Sequence, residues 1–353
     1  MPDIEKLIAA FEDPGVIELM INDDAAVFVE VSGGRLQRID ARPTPQDVLA
    51  FVRGVVGAPE EFGPRRPYAD LMATDGSRIH VLAPPLVKGM TVTVRKRPMQ
   101  RPTLRQLVEG GTLTPNCAAF LEYCVAQKMN VLVVGGTSSG KTTLLSALAA
   151  LIPPAERILI LEDTPELTLP ATHQHALYLR TRLRDAAGSP DVTLRELVVN
   201  TLRMRPDRVI VGETRGPEAA DMLQAMNVGQ DGMMTTLHAN SAREALARLE
   251  TLVLQAGIDM PLKAIRQNVV SAIDFVVFLS RLADGSRRVV QVAEVTGLEV
   301  ETISMADLFQ LELRRGPGGL QGALKASGAM PRFYERLRRQ GVEPPIQFFR
   351  DDS

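Results

Sequence analysis

Cysteine is nearly absent from this sequence of 353 residues, which contains only Cys117 and Cys124. Two cysteines seven positions apart cannot build a disulfide scaffold, and they supply too few ligands for a four-ligand zinc site. The surrounding stretch has a helical pattern. The sequence therefore predicts two small core residues in a protein kept in a reducing compartment.

Aromatic residues and net charge are also scarce. Phe, Tyr and Trp make up 4% of the chain, and Trp does not occur. The 40 Lys and Arg residues nearly balance the 42 Asp and Glu residues, which gives a formal net charge of -2. Tracking along single-stranded nucleic acid requires stacking aromatics and a basic groove, and long-range attraction to polyanions requires excess positive charge. Any basic surface of this protein is therefore local.

Long apolar runs are missing as well, since no stretch approaches the about 20 apolar residues that cross a bilayer. The first ten residues, MPDIEKLIAA, are acidic and lack the apolar core of a signal peptide. We therefore expect a soluble, cytoplasmic protein. Its length exceeds what one hydrophobic core commonly serves, which predicts two domains.

Residues 1–100 have the pattern of a small α+β domain. Apolar and polar residues alternate from Val16 to Ile39 around Asp-Asp and Gly-Gly turns, which is typical of short antiparallel strands. A helical stretch with Thr44 as its N-cap follows, and then further strand-like stretches. The proline-dotted segment 101–114 is predicted to be a linker.

From residue 115 to 353 the pattern changes to helices that alternate with short, fully apolar segments. These segments are VLVVGG, ILILED, RVIVGE, GMMTTLHA and FVVFL. Uninterrupted apolar strands are typical of a parallel sheet that is covered by helices on both faces. We expect an α/β domain here.

The segment GGTSSGKTT matches the pattern G-x-x-x-x-G-K-T, follows an apolar strand and opens a helical stretch. In such a phosphate loop, glycines let backbone N–H groups surround phosphates at a helix N-terminus. The lysine reaches the β- and γ-phosphates, and the threonine holds Mg²⁺. The predicted nucleotide-binding residues are Gly135, Gly136, Thr137, Ser138, Ser139, Gly140, Lys141, Thr142 and Thr143.

Carboxylates follow two of the apolar strands. Glu213 ends RVIVGE and is the predicted water-orienting base, because open α/β sheets bind ligands at the carboxyl ends of their strands. Glu162, Asp163 and Glu166 follow RILIL, and we expect one of them to act through Mg²⁺ or its waters. The alternative for each acid is a solvated surface position.

Positive charge is concentrated in two places. Between Gly76 and Val108 the sequence has no acidic residue. In LYLRTRLR, arginines alternate with leucines, which predicts a strand with leucines toward the core and guanidiniums on the other face. Each group is either a solvated basic edge or a source of the positive charge that phosphoryl transfer needs. The residues are Arg78, Lys88, Arg95, Lys96, Arg97, Arg101 and Arg105 in the first place, and Arg180, Arg182 and Arg184 in the second.

His238 lies in TTLHANS, at the end of a predicted strand. It has no second ligand at a metal-binding spacing and no Ser or Cys nucleophile beside it. It is either a structural histidine or a sensor of the γ-phosphate at the same sheet edge as the phosphate loop. We expect Thr235, Thr236 and Asn240 to orient its ring, and Ser241 to cap the next helix.

Together these segments resemble the secretion and pilus motor ATPases of the PilT/GspE superfamily, and most closely the Flp (tight-adherence) pilus assembly ATPases of the CpaF/TadA type. GGTSSGKTTLL resembles their Walker A motif, and LILEDTPEL resembles their Asp box. The stretch around RVIVGETRG resembles their Walker B region, and TTLHANSAREALARLE resembles their His box. The resemblance covers nearly the whole chain.

The resemblance implies a PAS-like N-terminal domain, a RecA-like P-loop ATPase domain and a homo-hexameric ring that uses ATP and Mg²⁺. The implied function is a motor for pilus assembly or protein secretion at the cytoplasmic face of the inner membrane. A polytopic platform protein would be its partner, and nucleic acid would not. The implied roles are ATP and Mg²⁺ binding for Lys141 and Thr142, catalysis for Glu213, Glu162 and His238, a water-mediated metal contact for Asp163, and positive charge toward ATP for Arg78, Arg95 and Arg182.

Two other functions fit part of the sequence. A nucleic-acid motor of the RecA/helicase kind would share the sheet and the phosphate loop, and turnover stimulated by DNA would favour it. A non-enzymatic regulator controlled by a nucleotide would need only the loop, and multiple turnover with Mg-ATP would exclude it.

Overall fold

The computed structural model describes residues 2–31, 35–57, 67–96, 102–182, 190–316, 319–339 and 341–350. The chain divides into two units, Met1–Gln100 and Arg101–Ser353. Within the described ranges, no helix is both long enough and apolar enough to cross a membrane.

The first unit is a six-stranded antiparallel sheet with two helices. Its strand order is β3-β2-β1-β6-β5-β4. The strands expected between Val16 and Ile39 are confirmed, and α1 is a helix that the sequence pattern did not predict. In chain order the elements are α1 (Asp3–Glu12), β1 (Val16–Ile21), β2 (Val27–Val31), β3 (Arg35–Ile39), α2 (Pro45–Val56), β4 (Tyr68–Met72), β5 (Arg78–Leu82) and β6 (Thr91–Arg95).

Helix α2 begins and ends as its sequence indicates. The hydroxyl of Thr44 accepts a hydrogen bond from the N–H of Asp47, and the Asp47 carboxylate accepts the N–H of Thr44, which is a complete capping box. Gly57 ends the helix in a left-handed conformation with φ 75°. The buried residues of α2, which include Phe51, belong to the same hydrophobic core as Leu19 of β1.

The second unit is built on a nine-stranded sheet of order β15-β14-β13-β12-β7-β11-β10-β8-β9. The six strands from β12 to β9 are parallel, and β13, β14 and β15 extend the sheet as antiparallel hairpins. The elements in chain order are α3 (Leu104–Glu109), α4 (Pro115–Ala126), β7 (Val131–Gly135), α5 (Lys141–Ala149), β8 (Ile158–Glu162), β9 (Ala176–Arg180), α6 (Leu194–Thr201), β10 (Arg208–Val211), α7 (Glu218–Asn227), β11 (Met234–His238), α8 (Ala242–Gln255), α9 (Leu262–Ala272), β12 (Phe275–Arg281), β13 (Arg287–Glu299), β14 (Thr302–Gly316), β15 (Gly319–Ala326), α10 (Phe333–Arg339) and a 3₁₀ turn (Gln347–Phe349).

The parallel strands are buried on both faces, as their apolar runs predict. In β7, Val131 and Val133 point into one core, whereas Leu132 and Val134 point into the other. The first core also contains residues of α3, α4 and α5, and the second contains residues of α6, α7, α8 and α9. The expectation of an α/β unit with helices on both faces is confirmed.

Two stretches differ from the expectation. The segment 101–114 was predicted to be a linker, but it contains α3, whose Leu104 and Leu107 are buried in the core of the second unit. The stretch LYLRTRLR forms a strand only up to Arg180. Leu177 is 37% exposed, whereas Leu179 is partly buried against the second core, and Leu183 lies outside the described residues. Leu177 is exposed because β9 is the last strand of the sheet. Arg184 lies outside the described residues.

A buried arginine joins the start of β10 to the segment before β8 and to the end of α4. Arg208 at the start of β10 is 1% exposed, and its Nε donates to Glu156 Oε2 at 2.7 Å. Its Nη2 donates to the carbonyl of Val125 at 2.9 Å. Gly232 has φ 74° and passes so close that a Cβ there would lie 3.0 Å from both Cδ and Cζ of Arg208. Only glycine fits at this position without moving the buried ion pair.

We therefore expect Gly232→Ala to lower the free energy of unfolding by about 3 kcal/mol, because it adds a collision with a buried charge to the strain of a positive φ. Gly257→Ala is the matched control, since Gly257 has φ 72° and nothing within 4 Å of its Cβ position. That variant is expected to lose only about 1 kcal/mol. Urea unfolding measures both changes, and equal losses would contradict the role of Arg208.

Candidate nucleotide site

The parallel strands bring the predicted site residues to one edge of the second unit. β11 pairs with β7 so that His238 is opposite Gly135, which is the last residue of β7 and the first residue of the phosphate loop (residues 135–143). Glu162 ends β8, and Glu213 comes two residues after the end of β10. Because these strands are parallel, their carboxyl ends meet at one edge, where open α/β sheets bind ligands.

The phosphate loop has the backbone shape of an anion-binding turn. Ser138 and Gly140 have positive φ values of 58° and 99°. Gly140 is also the N-cap of α5, and no side chain caps that helix end. Alternating backbone conformations of this kind turn successive N–H groups inward, and the helix N-terminus adds its own donors. Residues 136–143 can therefore surround a phosphate group.

Gly135 and Ser139 fill the base of the loop. A Cβ on Gly135 would collide with the carbonyl of Leu279 and would lie 2.5 Å from Ser139 Oγ. The Ser139 side chain is 1% exposed, and its hydroxyl has no hydrogen-bond partner among the described atoms. Thr137 is exposed, and Thr142 and Thr143 in the first turn of α5 are partly exposed.

Lys141 is the cation of the loop. Only 7% of this residue is exposed, and its Nζ donates to the carbonyl of Gly136 at 2.8 Å and to His238 Nδ1 at 3.4 Å. Burial lowers the pKa of Lys141, and the nearby carboxylates of Glu213 and Glu166 act in the opposite direction.

His238 links Lys141 to Glu213. Its Nε2 lies 3.5 Å from Glu213 Oε1. An ammonium group can only donate, so Nδ1 accepts from Lys141 and the ring proton of a neutral imidazole is on Nε2, facing Glu213. Burial is the largest cause that lowers the pKa of His238; Lys141 and Arg248 lower it further, and Glu213 raises it. The imidazole is therefore neutral near pH 7 and can act as a directed donor.

The expected orientation of His238 by neighbouring polar residues is wrong in its details. Thr235 Oγ1 shares a 2.8 Å hydrogen bond with Thr214 Oγ1, and Thr236 Oγ1 donates to the carbonyl of Gly212 at 2.8 Å. Asn240 Nδ2 donates to Glu244 Oε1 at 3.0 Å. The threonines join β11 to the segment that carries Glu213, and they do not bond to the ring. The expected N-cap is confirmed, since Ser241 Oγ accepts the N–H of Glu244 at 3.1 Å.

The acids after β8 have different surroundings. Glu162 is 5% exposed, and its Oε1 accepts the N–H groups of Glu166 at 2.9 Å and Leu167 at 2.8 Å. It therefore fixes the turn that follows β8. Asp163 is half-buried and forms an ion pair with Arg215. The Glu213 side chain is 40% exposed, which makes it more accessible to a water molecule than Glu162 or Asp163.

The other predicted arginines are in the first unit or follow the outermost strand β9. Arg78 and Arg95 are in the first unit, directly opposite each other on β5 and β6. Arg95 Nε lies 3.9 Å from a carboxylate oxygen of Glu18. Arg182 follows β9, pairs with Val192 through the backbone and donates from Nη2 to the carbonyl of Pro190 at 3.2 Å. Of the remaining basic residues, Arg97 and Arg101 lie outside the described residues.

A family model described as Type II/IV secretion system protein matches residues 71–304. The chain belongs to this family. It is 34% identical over 298 residues to the conjugal transfer protein TrbB of Rhizobium radiobacter, across 83% of this chain and 88% of that protein. It is 29% identical over 328 residues to the type IV secretion system protein VirB11 of Bartonella quintana, across 82% and 91%.

A solved structure of the pilus retraction motor PilT with bound ADP has a related fold. The TM-score is 0.60 at 18% identity, and the match covers 96% of this chain and 87% of that one. At this identity the likeness concerns the fold alone. It supports the mixed α/β fold with large sheets described above.

The side chains of this site can bind Mg²⁺ only together with a phosphate ligand. Among the described residues, no group of three or more His, Cys, Asp or Glu side chains could hold a metal by itself. Thr142 supplies one hydroxyl at the start of α5, and Asp163 is engaged by Arg215. Mg²⁺ commonly takes one or two protein ligands plus phosphate oxygens and waters, which this arrangement can provide.

Two residues of the site were not predicted from the sequence. Arg215 pairs with Asp163 and so joins the segment after β10 to the segment after β8. Glu218 at the start of α7 is 4% exposed, and its Oε1 accepts the N–H groups of Arg215 at 2.7 Å and Gly216 at 2.8 Å. Glu218 follows Arg215 by three positions, which is the spacing of a helix-capping acid, so its role could have been predicted from the sequence. No sequence pattern indicated the role of Arg215.

The chain of contacts from Lys141 to Glu213 predicts opposite effects on the pKa of His238. Lys141→Met removes a positive charge beside Nδ1 and is expected to raise that pKa, whereas Glu213→Gln removes a negative charge beside Nε2 and is expected to lower it. Titration of the His238 ring by NMR measures both. Lys128→Met is the matched control because Lys128 precedes β7, at the opposite edge of the sheet, and should leave the titration unchanged. An unchanged pKa in the Lys141 variant would contradict the contact.

Proposed function

We propose that this chain is an ATP-hydrolysing motor of a type II/IV secretion or pilus machine. The observation that carries the proposal is the convergence of the phosphate loop, Lys141, His238 and Glu213 at one sheet edge within contacts of 2.8–3.5 Å. The loop supplies donors for the phosphates, and Glu213 supplies an accessible carboxylate. Phosphoryl transfer to water needs these parts and little covalent chemistry from the protein.

Each residue of the group has one task in this proposal. Lys141 leaves the carbonyl of Gly136 and binds the β- and γ-phosphates, for which its ammonium is a point charge. Glu213 accepts a proton from the attacking water and orients it. His238 turns its Nε2–H from Glu213 to the γ-phosphate, so its contact changes when that phosphate leaves. Ser241 begins α8 three residues later, and this helix can transmit the change.

Mg²⁺ would be held by Thr142 and the nucleotide phosphates, with Asp163 acting through a water molecule. When bound, the ion supplies positive charge that neutralises the phosphate oxygens. The Arg215 side chain keeps the Asp163 carboxylate in place at the edge of this site. Glu162 contributes by holding the turn after β8, since both hydrogen bonds to its Oε1 come from that turn.

Membership in the type II/IV secretion family supports our proposal that this motor works in a secretion or pilus machine. The relatives carry names from conjugal transfer and type IV secretion, and the structural relative is a pilus retraction motor. We place this chain at the cytoplasmic face of the inner membrane, bound there through a polytopic platform protein. Work in Flp pilus assembly is the narrower prediction from the sequence motifs, and it stays a prediction.

A homo-hexameric ring completes the proposal. Lys141 is the cation of the phosphate loop in the second unit, whereas phosphoryl transfer gains much of its rate from an arginine that a neighbouring domain or subunit supplies. The cross-strand pair Arg78 and Arg95 presents two guanidiniums from one sheet of the first unit. We assign this pair and Arg182 as sources of that charge, which makes turnover depend on assembly.

Glu213→Gln tests the proposed chemistry. The amide keeps the size of the side chain but cannot accept the proton of water, so we expect ATP to bind with near-normal affinity while kcat falls by a factor of about 10² or more. Calorimetry gives the affinity, and phosphate release gives kcat.

Glu244→Gln is the matched control, because Glu244 is an acid of the His238 region whose carboxylate bonds to Asn240. It should hydrolyse ATP like the wild type. Full activity of Glu213→Gln together with an inactive Glu162→Gln would transfer the role of the base to Glu162. Full activity of both variants would contradict the proposed hydrolysis site.

A further inference from the structure

The β12–β13 hairpin borders the phosphate loop on the side away from β11. β12 pairs in parallel with β7, so that Leu279 is opposite Gly135. The two backbones are so close that a Cβ on Gly135 would collide with the carbonyl of Leu279. The chain then turns and returns as β13, whose first residue is Arg287.

Arg287 reaches from the start of β13 to the apex of the phosphate loop. Its Nε donates to the carbonyl of Ser138 at 2.9 Å, across 149 positions of sequence. Its Cδ would lie 3.6 Å from a Cβ on Gly140, so the aliphatic stem covers this glycine. The side chain therefore bonds to Ser138 and lies beside Gly140, two residues of the loop that have positive φ.

The hydrogen bond from Arg287 fixes the direction of a loop carbonyl. Ser138 has φ 58°, which is uncommon for a residue other than glycine. In an anion-binding turn the carbonyl groups point outward and the N–H groups point inward. A guanidinium that binds the Ser138 carbonyl from outside stabilises this arrangement, and its charge adds to the attraction for phosphate.

Lys141 and Arg287 both bind carbonyl groups of the loop, but they differ in whether nucleotide binding requires the side chain to move. Lys141 binds the carbonyl of Gly136, and the proposed function requires it to turn to the phosphates. Arg287 binds the carbonyl of Ser138 from the hairpin, and nothing in the proposed function requires it to move. Arg287 can therefore hold the loop both before and after Lys141 turns.

We propose that Arg287 is a positioning residue of the phosphate loop. It holds the backbone from Ser138 to Gly140 in the anion-binding conformation and so raises the affinity for the phosphate groups of ATP, without contacting the reacting atoms. This inference rests on the proposed function, because it concerns the same nucleotide site.

Arg288 provides a matched control on the same strand. It is also an arginine of β13, but its Nη1 donates to the carbonyl of Gly322 at 3.0 Å and its Nε to Ser286 Oγ at 3.3 Å. Its bonds therefore tie β13 to β15 and to the turn of the hairpin. Replacing it removes the same charge from the same strand and leaves the loop bond in place.

The test compares Arg287→Met, Arg287→Gln and Arg288→Met with the wild type. Loss of a hydrogen bond from a charged donor predicts that Kd for Mg-ATP rises about tenfold in both Arg287 variants. KM should rise by a similar factor and kcat should change by less than about twofold, since Arg287 is not at the reacting atoms. Calorimetry and steady-state kinetics measure these values. Arg288→Met should match the wild type in all three.

Thermal unfolding without nucleotide separates this role from a general loss of structure. We expect the Arg287 variants to unfold at the wild-type Tm without ATP and to gain less Tm when ATP is added. If Arg287→Met does not fold, Arg287→Gln decides, because it retains part of the stem and a polar end. Wild-type affinity in a folded Arg287 variant, or an equal loss in Arg288→Met, would overturn the inference. Wild-type protein that binds no ATP would instead overturn the proposed function.

Discussion

A lysine ammonium that is almost fully buried beside a glycine-rich loop is the constraint on which the rest of this site depends. Removing such a charge from water costs on the order of several kcal/mol unless protein groups replace its hydration. The hydration of Lys141 is replaced by the carbonyl of Gly136, by Nδ1 of His238 and by the negative charges of Glu213 and Glu166. These partners come from the ends of different strands, so the burial of Lys141 requires that the parallel sheet be assembled in its register. Formation of the site therefore depends on correct assembly of the sheet.

The parts that the sequence predicted are those with a local signal. The phosphate loop has a fixed spacing of glycines and Lys141, the buried strands are continuous apolar runs, and Thr44 and Ser241 stand where helices begin. His238 and Glu213 could be placed at one edge because parallel strands put their carboxyl ends together. The contact between them follows from the register of β11 against β7 and β10. The sequence indicates where these strands end, but it does not specify which residues of neighbouring strands pair.

The parts that the sequence did not predict depend on distant contacts. Segment 101–114 has the composition of a linker, yet α3 packs against α4 and α5 and its Leu104 and Leu107 are buried in the core. Arg287 is one basic residue among several in its hairpin, and only the closeness of β12 to β7 brings it to Ser138. Thr235 and Thr236 looked like partners of His238, but their hydroxyls face the segment after β10. In each case the decisive neighbour is far away in the sequence.

ATP turnover measured across a range of protein concentrations, for the wild type and Lys141→Ala, tests the central claim most directly. The account predicts that the wild type hydrolyses Mg-ATP over many turnovers, with a specific activity that rises as a ring-sized species forms in light scattering. Lys141→Ala should show no turnover at any concentration, because the charge opposite the β- and γ-phosphates is lost. Near-normal turnover by Lys141→Ala, or full activity of a wild-type monomer, would contradict the account.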